Sequence, residues 1–370
     1  MSLQKHRYTW LNEDAFRQRT GLALDWLQCS FEATGQQGFA GYFQKRPWER
    51  AKWSSAYPET TGYIIETLLD YETVTPNNRH RATAMQAADW LLTVQLETGA
   101  FPGGLIGAPP LPSVFNTGMI LFGLEQANRN AETVFNPYTS SLEKATNWLL
   151  ENMESDGSWQ KGAYVQGYVP SYYTRVLWAM ILADRHLNLP ELKGKVAGAI
   201  EYYRKRIAPD NFVRDCGFFP GKPTLTHTLA YSLRGFLECA LVLDDESLYQ
   251  EVKSIALKLA TLIHKKGKAA GAYDSGWLGN YRFTCLTGNA QLSIIFLKLF
   301  EKERDELFLT SALTVFSPVV AAQNTSLNLD LRGAIPGSKP VWGKYFRFRY
   351  PNWGVKFYLD AWLLLYPHFK

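Results

Sequence analysis

The chain has 370 residues, 46% of them hydrophobic and 20% charged, and its 39 Lys and Arg exceed its 34 Asp and Glu by 5 charges. That bias is too weak to argue for nucleic acid without a clustered basic patch, and no apolar run approaches the ~20 residues of a membrane-spanning helix. The four cysteines, at 29, 216, 239 and 285, lack the spacing of a ligand pair and read as reduced core residues of a cytoplasmic protein. The polar N-terminus carries no signal-peptide core, and a periplasmic location fits if a leader has been removed.

Hydrophobic periodicity predicts twelve helices. The first runs from Glu13 to Ser30, with Asn12 or Asp14 as its cap. The second begins at Pro58, a residue suited to a first helical turn, and reaches Tyr71. Arg79 to Glu97, Ser113 to Arg129, Tyr138 to Met153 and Ser171 to Leu187 follow. Then come Glu191 to Arg206, Thr226 to Leu243, Glu246 to Lys265, Cys285 to Lys302, Glu306 to Asn324 and Asn352 to Pro367. A short hairpin is predicted within Gly333 to Tyr350, where residues alternate.

One helix type keeps returning with the same ending. Trp26-Leu27-Gln28 precedes Gln36-Gln37-Gly38-Phe39; Trp90-Leu91-Leu92 precedes Gly99-Ala100-Phe101; Trp148-Leu149-Leu150 precedes Asp156-Gly157-Ser158-Trp159. A period of roughly 54 to 64 residues is the length of a helical hairpin with its loops. Odd-numbered helices carry more charge and are followed by long loops rich in Gly, Pro and aromatics. Even-numbered helices are more apolar, as in Val176-Leu177-Trp178-Ala179-Met180-Ile181-Leu182, and are followed by short turns such as Thr75-Pro76-Asn77-Asn78 and Asp244-Asp245. Two concentric layers account for this: charged helices outside, apolar helices inside. The prediction is an all-α (α/α)6 toroid in which residues 1–370 form one domain. All the long loops then arrive at the N-terminal ends of inner helices and share one rim.

The repeat endings resemble those of the terpenoid cyclase and protein prenyltransferase toroids. The stretches Gly337-Ser338-Lys339-Pro340-Val341-Trp342-Gly343-Lys344-Tyr345 and Tyr350-Pro351-Asn352-Trp353-Gly354-Val355-Lys356-Phe357, together with Tyr57-Pro58-Glu59-Thr60-Thr61-Gly62-Tyr63 and Leu286-Thr287-Gly288-Asn289-Ala290-Gln291, resemble bacterial exopolysaccharide-biosynthesis proteins of the VpsJ type. That resemblance implies work on a polysaccharide or its precursor, and no catalytic assignment comes with it. No Asp-rich protonation motif of a terpenoid cyclase is present. Cys285 and His227 both fall near starts of inner helices, but a zinc site needs at least three protein ligands, so no metal is expected.

The rim loops supply the candidate site. Tyr57 and Glu59 open the second helix, where a carboxylate can serve as general acid or base or simply meet first-turn N–H groups. Asn116 opens the fourth helix as a ligand contact or cap. Tyr173 and Arg175 open the sixth: Tyr173 can move a proton, and Arg175 can bind a uronate carboxylate or phosphate, or form a structural ion pair. His227, at the start of the eighth, suits proton transfer or packing. Asp274 and Trp277 lie before the tenth helix; Asp274 can face Glu59 as a glycosidase pair or only shape its turn. Asn289 can bind hydroxyls. From Leu331 to Leu359 the chain has six cations and no acid, with Trp342, Lys344, Arg347, Asn352 and Trp353 as candidate contacts for an anionic sugar; single-stranded nucleic acid would use the same mixture.

The reading is a carbohydrate-active protein acting on an acidic or lipid-linked saccharide, by hydrolysis, β-elimination or epimerisation, with no cofactor and no nucleic-acid partner. An isoprenoid-handling toroid and a non-catalytic saccharide-binding protein are the alternatives. The sequence leaves the oligomeric state open.

Overall fold

The computed structural model describes residues 8–75, 78–131 and 136–368. Twelve α-helices occur among them, numbered here in chain order. The odd members are α1 (Glu13–Glu32), α3 (Asn78–Val94), α5 (Pro137–Glu151), α7 (Leu192–Arg204), α9 (Glu246–Lys266) and α11 (Glu306–Val320). The even members are α2 (Pro58–Val74), α4 (Val114–Asn130), α6 (Thr174–Leu187), α8 (Thr226–Val242), α10 (Leu286–Glu303) and α12 (Asn352–Leu365). Each even helix packs against the next even helix, and α12 closes on α2. Each odd helix lies outside on an even one: α1 on α12, α3 on α2, α5 on α4, α7 on α6, α9 on α8 and α11 on α10. The chain is therefore the predicted (α/α)6 toroid.

Local chemistry sets the helix ends. Asn12 caps α1 by accepting from the Ala15 N–H at 2.8 Å, and Asp245 caps α9 by accepting from the Leu248 N–H at 2.9 Å. Gly267 ends α9 in the left-handed region. The predicted start of α6 is three residues early, because Ser171–Tyr173 form a separate 3-10 turn after Pro170. The predicted C-terminal ends of α3, α5, α7, α11 and α12 run two to four residues long, where the repeat loops begin. Of the predicted turn after α2, Pro76 and Asn77 lie outside the described residues, as does the chain before Tyr8.

The even helices approach one another almost backbone to backbone. A Cβ on Gly123 of α4 would stand 2.2 Å from the Gly62 carbonyl oxygen of α2. A Cβ on Gly235 of α8 would stand 2.5 Å from the Arg175 nitrogen of α6, and one on Gly288 of α10 would stand 2.6 Å from the His227 nitrogen of α8. These residues permit contacts that any side chain would wedge open.

Short strands stitch the long loops along one rim. β1 (Tyr42–Gln44) pairs antiparallel with β2 (Lys52–Trp53) on one side and β7 (Arg349–Pro351) on the other, joining the loop after α1 to the loop before α12. β3 (Thr224–Leu225) pairs with β4 (Ala272–Tyr273), and β5 (Thr284–Cys285) with β6 (Ser338–Lys339). The hairpin predicted within Gly333 to Tyr350 does not form. Phe346 and Phe348 adopt φ of 50° and 56°, which interrupts an extended run, and β6 and β7 pair with different neighbouring loops instead.

Two alanine substitutions separate ring packing from helix propensity. Gly123→Ala must push α4 from α2 and is expected to cost about 1–3 kcal/mol, as other overpacked interiors do. Gly198→Ala, on the outer helix α7 with no atom within 4 Å of its added Cβ, is expected to stabilise by about 0.4–1 kcal/mol through the unfolded chain. Denaturant unfolding of the two variants should move the midpoint in opposite directions.

Candidate functional site

A cavity of about 530 Å³ opens at the stitched rim, over the axis of the ring. Seven tyrosines line it, with one carboxylate, Glu59, one imidazole, His227, and one guanidinium, Arg349. Helical spacing supplies much of this wall. Glu59 and Tyr63 are four residues apart on α2, and His227 and Tyr231 are four apart on α8, so each pair occupies one face at the start of its helix. Tyr172 comes from the 3-10 turn before α6, Tyr345 and Trp353 from the last loop and α12, and Tyr164 from the loop after α5.

Glu59 is buried. The Tyr57 hydroxyl donates to its Oε2 at 2.5 Å, and the Tyr164 hydroxyl lies 3.5 Å from the same atom. Tyr164 also donates to Asn116 Oδ1, while Asn116 Nδ2 donates to the Pro102 carbonyl at 3.0 Å. Loss of water is the largest influence on the carboxyl and raises it from 4.5 to about 7; the hydroxyls of Tyr57 and Tyr164 and the charge of Arg175 pull the other way. Glu59 can therefore hold or release a proton near neutrality.

His227 is shifted the opposite way. Burial first, and the charge of Arg175 second, lower it to about 3, so the ring stays neutral. Gln291 Nε2 lies 2.7 Å from His227 Nδ1 and 3.3 Å from the Thr287 carbonyl oxygen. The carbonyl requires a donor there, which identifies the amide nitrogen. His227 Nδ1 accepts, and Nε2 carries the hydrogen. His227 is thus built to donate a hydrogen bond rather than to take up a proton. The ring packs between Tyr231 and Tyr345, with centroids at 4.3 and 5.0 Å.

Of the residues singled out from the sequence, Tyr57, Glu59, His227 and Trp353 line the cavity together. Trp353 Nε1 donates to the Tyr345 hydroxyl at 2.7 Å. Asn116 acts one step back, through Tyr164. Asp274 is not opposite Glu59. It lines neighbouring clefts, and its Oδ1 accepts from the N–H groups of Gly276 and Leu278 at 3.0 and 2.9 Å, so it shapes its own turn. Trp277 is buried against Phe212 and Tyr273 and donates to the Asp210 carbonyl. Tyr173 is buried between Phe115 and Trp159, and its neighbour Tyr172 reaches the cavity wall instead.

Asn289 and Asn352 are buried and fixed to backbone. Asn289 Nδ2 donates to the Val315 carbonyl, and Asn352 Nδ2 donates to Ala40 O and Thr60 Oγ1. Trp342 and Lys344 line the cleft beside the cavity, and Arg347 donates from Nε to the Trp342 carbonyl at 3.0 Å.

Arg175 does not reach the cavity either. Its guanidinium sits within 4.8 to 5.6 Å of the ring centres of Tyr231, Trp178, Phe122 and Phe357, and among the described residues it has no carboxylate partner at ion-pair distance. It lines a smaller compartment of about 130 Å³ with Glu66, Asp70, Arg234, Lys356 and Asp360. Lys356 is buried there between Glu66 and Asp360, with Nζ at 3.1 and 2.5 Å from their oxygens. It is not a rim cation.

Tyr63, Tyr231 and Tyr164 were missed as site residues, and Tyr345 and Arg349 were read only as part of the aromatic and cationic stretch from Leu331 to Leu359. The first two stand one helical turn beyond Glu59 and His227, a periodic signal that was available. Tyr164, in an irregular loop, gave none. Arg349 stacks on Tyr42 and Phe346 and donates from Nε to Gln44 Oε1 at 3.0 Å. Among the described residues no three His, Cys, Asp or Glu side chains come together as metal ligands.

No family profile and no curated protein matches the chain. Solved structures do. An unsaturated glucuronyl hydrolase specific for heparin superposes with a TM-score of 0.71 at 14% identity, over 95% of this chain and 97% of the other. The unsaturated glucuronyl hydrolase of Bacillus sp. GL1, described as responsible for glycosaminoglycan degradation, gives 0.71 at 15% identity over 94% and 96%. Cellobiose 2-epimerase from Bacillus thermoamylovorans gives 0.68 at 13% identity over 94% and 98%. At these identities the likeness establishes the toroid fold.

The Glu59 shift makes a stability prediction. A carboxyl raised from 4.5 to about 7 on folding contributes stability that is fully present below pH 4.5 and lost as pH rises through 7. Glu59→Gln removes this dependence. Relative to the parent, the variant should gain about 2 kcal/mol between pH 5 and pH 8, read from unfolding midpoints at the two pH values.

Proposed function

We propose that this protein is a carbohydrate-active enzyme that moves a proton to or from carbon in an acidic saccharide, with Glu59 as its one acid–base carboxylate. The observation that carries this reading is the composition of the cavity wall: a single carboxyl held near pH 7, a neutral imidazole, and tyrosine hydroxyls in place of a second carboxylate. Displacement at a glycosidic carbon uses two carboxylates at a set separation, and with Asp274 outside the cavity that pairing has no second member. Proton transfer needs one group with a pKa near the working pH.

The division of labour follows from the geometry. Tyr57 holds one oxygen of Glu59 and orients the carboxyl. His227, fixed by Gln291, donates from Nε2 to a sugar oxygen. Arg349 is the cation on the wall suited to a uronate carboxylate, and Trp353 and the tyrosines offer faces and hydroxyls to a sugar ring. Glu59 then gives its proton to, or takes one from, the adjacent carbon. β-Elimination, epimerisation, and hydrolysis that starts by protonating an unsaturated uronide all share this step. The unsaturated glucuronyl hydrolases and the epimerase among the structural neighbours are named for reactions of this set.

The resemblance to VpsJ-type proteins supports a role in exopolysaccharide assembly or remodelling, with the whole chain acting as one toroid domain on free or lipid-linked saccharide. A cavity for a bare isoprenoid would have less use for a carboxyl, an imidazole and seven hydroxyls in its wall.

The test is incubation in deuterated water with unsaturated uronate disaccharides, saturated uronate oligosaccharides and cellobiose, followed by NMR. Carbon-bound deuterium or a new conjugated double bond is expected from a uronate substrate. Glu59→Gln should lower the rate by about 10²–10⁴-fold, and kcat/KM should break near pH 7. Hydrolysis that leaves no deuterium on carbon, or a Glu59→Gln enzyme with the parental rate, would overturn the reading.

A further inference from the structure

The cavity is not isolated on the rim. Phe219 at its mouth also lines a second compartment of about 330 Å³. That compartment shares Pro223, Tyr273 and Asp274 with a third, of about 630 Å³, which Trp342 and Lys344 also line. The three adjoin one another along the rim, across the loops before α8, α10 and α12.

Three properties mark this path as a binding surface. First, it presents aromatic faces to solvent: Phe219 is 60% exposed and Trp342 58% exposed. Second, its charge is mainly positive, with four cations to two acids. Arg214, Lys222, Arg282 and Lys344 line it and are exposed, and among the described residues none is ion-paired. The two acids along it are engaged: Asp274 by its own turn, and Asp215 with Arg206 Nε at 3.9 Å. Third, its walls are tied together. The β3–β4 and β5–β6 pairings hold the loops side by side, and a Cβ on Gly343 would meet the Phe283 side chain at 2.9 Å.

We infer that the substrate is a chain of several acidic sugars. Its reacting unit enters the Glu59 cavity, and the following units lie outward along this groove. Trp342 and Phe219 supply stacking faces, and Arg282, Lys344, Arg214 and Lys222 meet the repeated carboxylates. The inference rests on the proposed function for the direction of the chain but not for its binding. A polyanionic glycan suits the groove better than a nucleic acid, because the path ends in a cavity whose acid–base carboxyl and tyrosine hydroxyls match a hydroxyl-bearing sugar ring.

Calorimetric titration with oligogalacturonates of two, four and six units, and with neutral cello-oligosaccharides of the same lengths, tests it. The hexamer is expected to bind about tenfold more tightly than the dimer, a gain equivalent to one good stacking or charge contact. Neutral chains should show a smaller gain. In Trp342→Ala combined with Lys344→Ala, both at exposed positions, the hexamer-to-dimer ratio should fall toward one while the melting temperature stays unchanged. A hexamer that binds no better than the dimer, or an equal gain for neutral chains, overturns the groove. So does tighter binding of a single-stranded oligonucleotide of similar charge. Length-dependent binding without turnover would support the groove and sink the catalytic proposal. Turnover of short uronates without length dependence would do the reverse.

Discussion

The close approach of neighbouring inner helices is the constraint on which the rest of this molecule depends. Where Gly123 meets Gly62, and where Gly235 and Gly288 meet the backbones of α6 and α8, the separation is set by main chain rather than side chain. Helices held this tightly leave a narrow axial space. The first turns of those helices then present their side chains to one another at the rim, where packing buries Glu59 and His227. The opposite shifts of Glu59 and His227 have this common origin. Desolvation disfavours charge whatever its sign, so it raises the acid and lowers the base.

Charge along the axis is arranged to make that desolvation tolerable. Arg175 is buried against four aromatic rings instead of a carboxylate, the kind of contact that strengthens as water is removed. Its field reaches both ends of the problem: it helps to keep Glu59 from rising further and His227 from taking a proton. Beyond it, Lys356 pairs with both Glu66 and Asp360, while Asp70 is raised by burial and then by these acidic neighbours. Glu59, Tyr63, Glu66 and Asp70 follow a 4-3-4 spacing on α2, so one helix face carries polar groups from the rim cavity to the compartment beyond Arg175.

The fold was legible because it repeats. Apolar periodicity, the Trp-Leu endings and the alternation of long and short connections are each weak alone, but the same pattern returning along the chain leaves few architectures. The site was legible only where it shares that periodicity. Glu59 and His227 stand at inner-helix starts, and both reach the cavity. Tyr173 failed by one residue, because the 3-10 turn after Pro170 rotates the face that helix periodicity assumes. Asn289 and Asn352 stand at equivalent helix starts but turn to neighbouring backbone, a choice made by partners more than twenty residues away in sequence. Asp274, Trp342 and Tyr164 lie in loops, where direction follows from strand pairing and turn geometry that no local pattern encodes. The last loop's cations divided in the same way: Arg349 joined the cavity, Lys344 the adjoining cleft, and Lys356 the buried ion-pair network.

The richness in aromatics, 14% of the chain with 20 Tyr and 12 Trp, takes on two separate meanings in this structure. In the repeat units it is mechanical: Trp159 and Trp26 are fully buried, and their indole nitrogens donate to the backbone carbonyls of Leu149 and Asp330. In the cavity it is chemical. A tyrosine brings a flat apolar face and one hydroxyl without adding a charge, so a wall of tyrosines stays low in dielectric while offering hydrogen bonds. Replacing those hydroxyls with carboxylates would raise Glu59 further by repulsion, and replacing them with phenylalanine would remove the Tyr57 and Tyr164 contacts that hold it back. Burial therefore sets the direction of the Glu59 shift, and its uncharged neighbours limit it. A cavity built this way is matched to a ligand with many hydroxyls and a reacting proton.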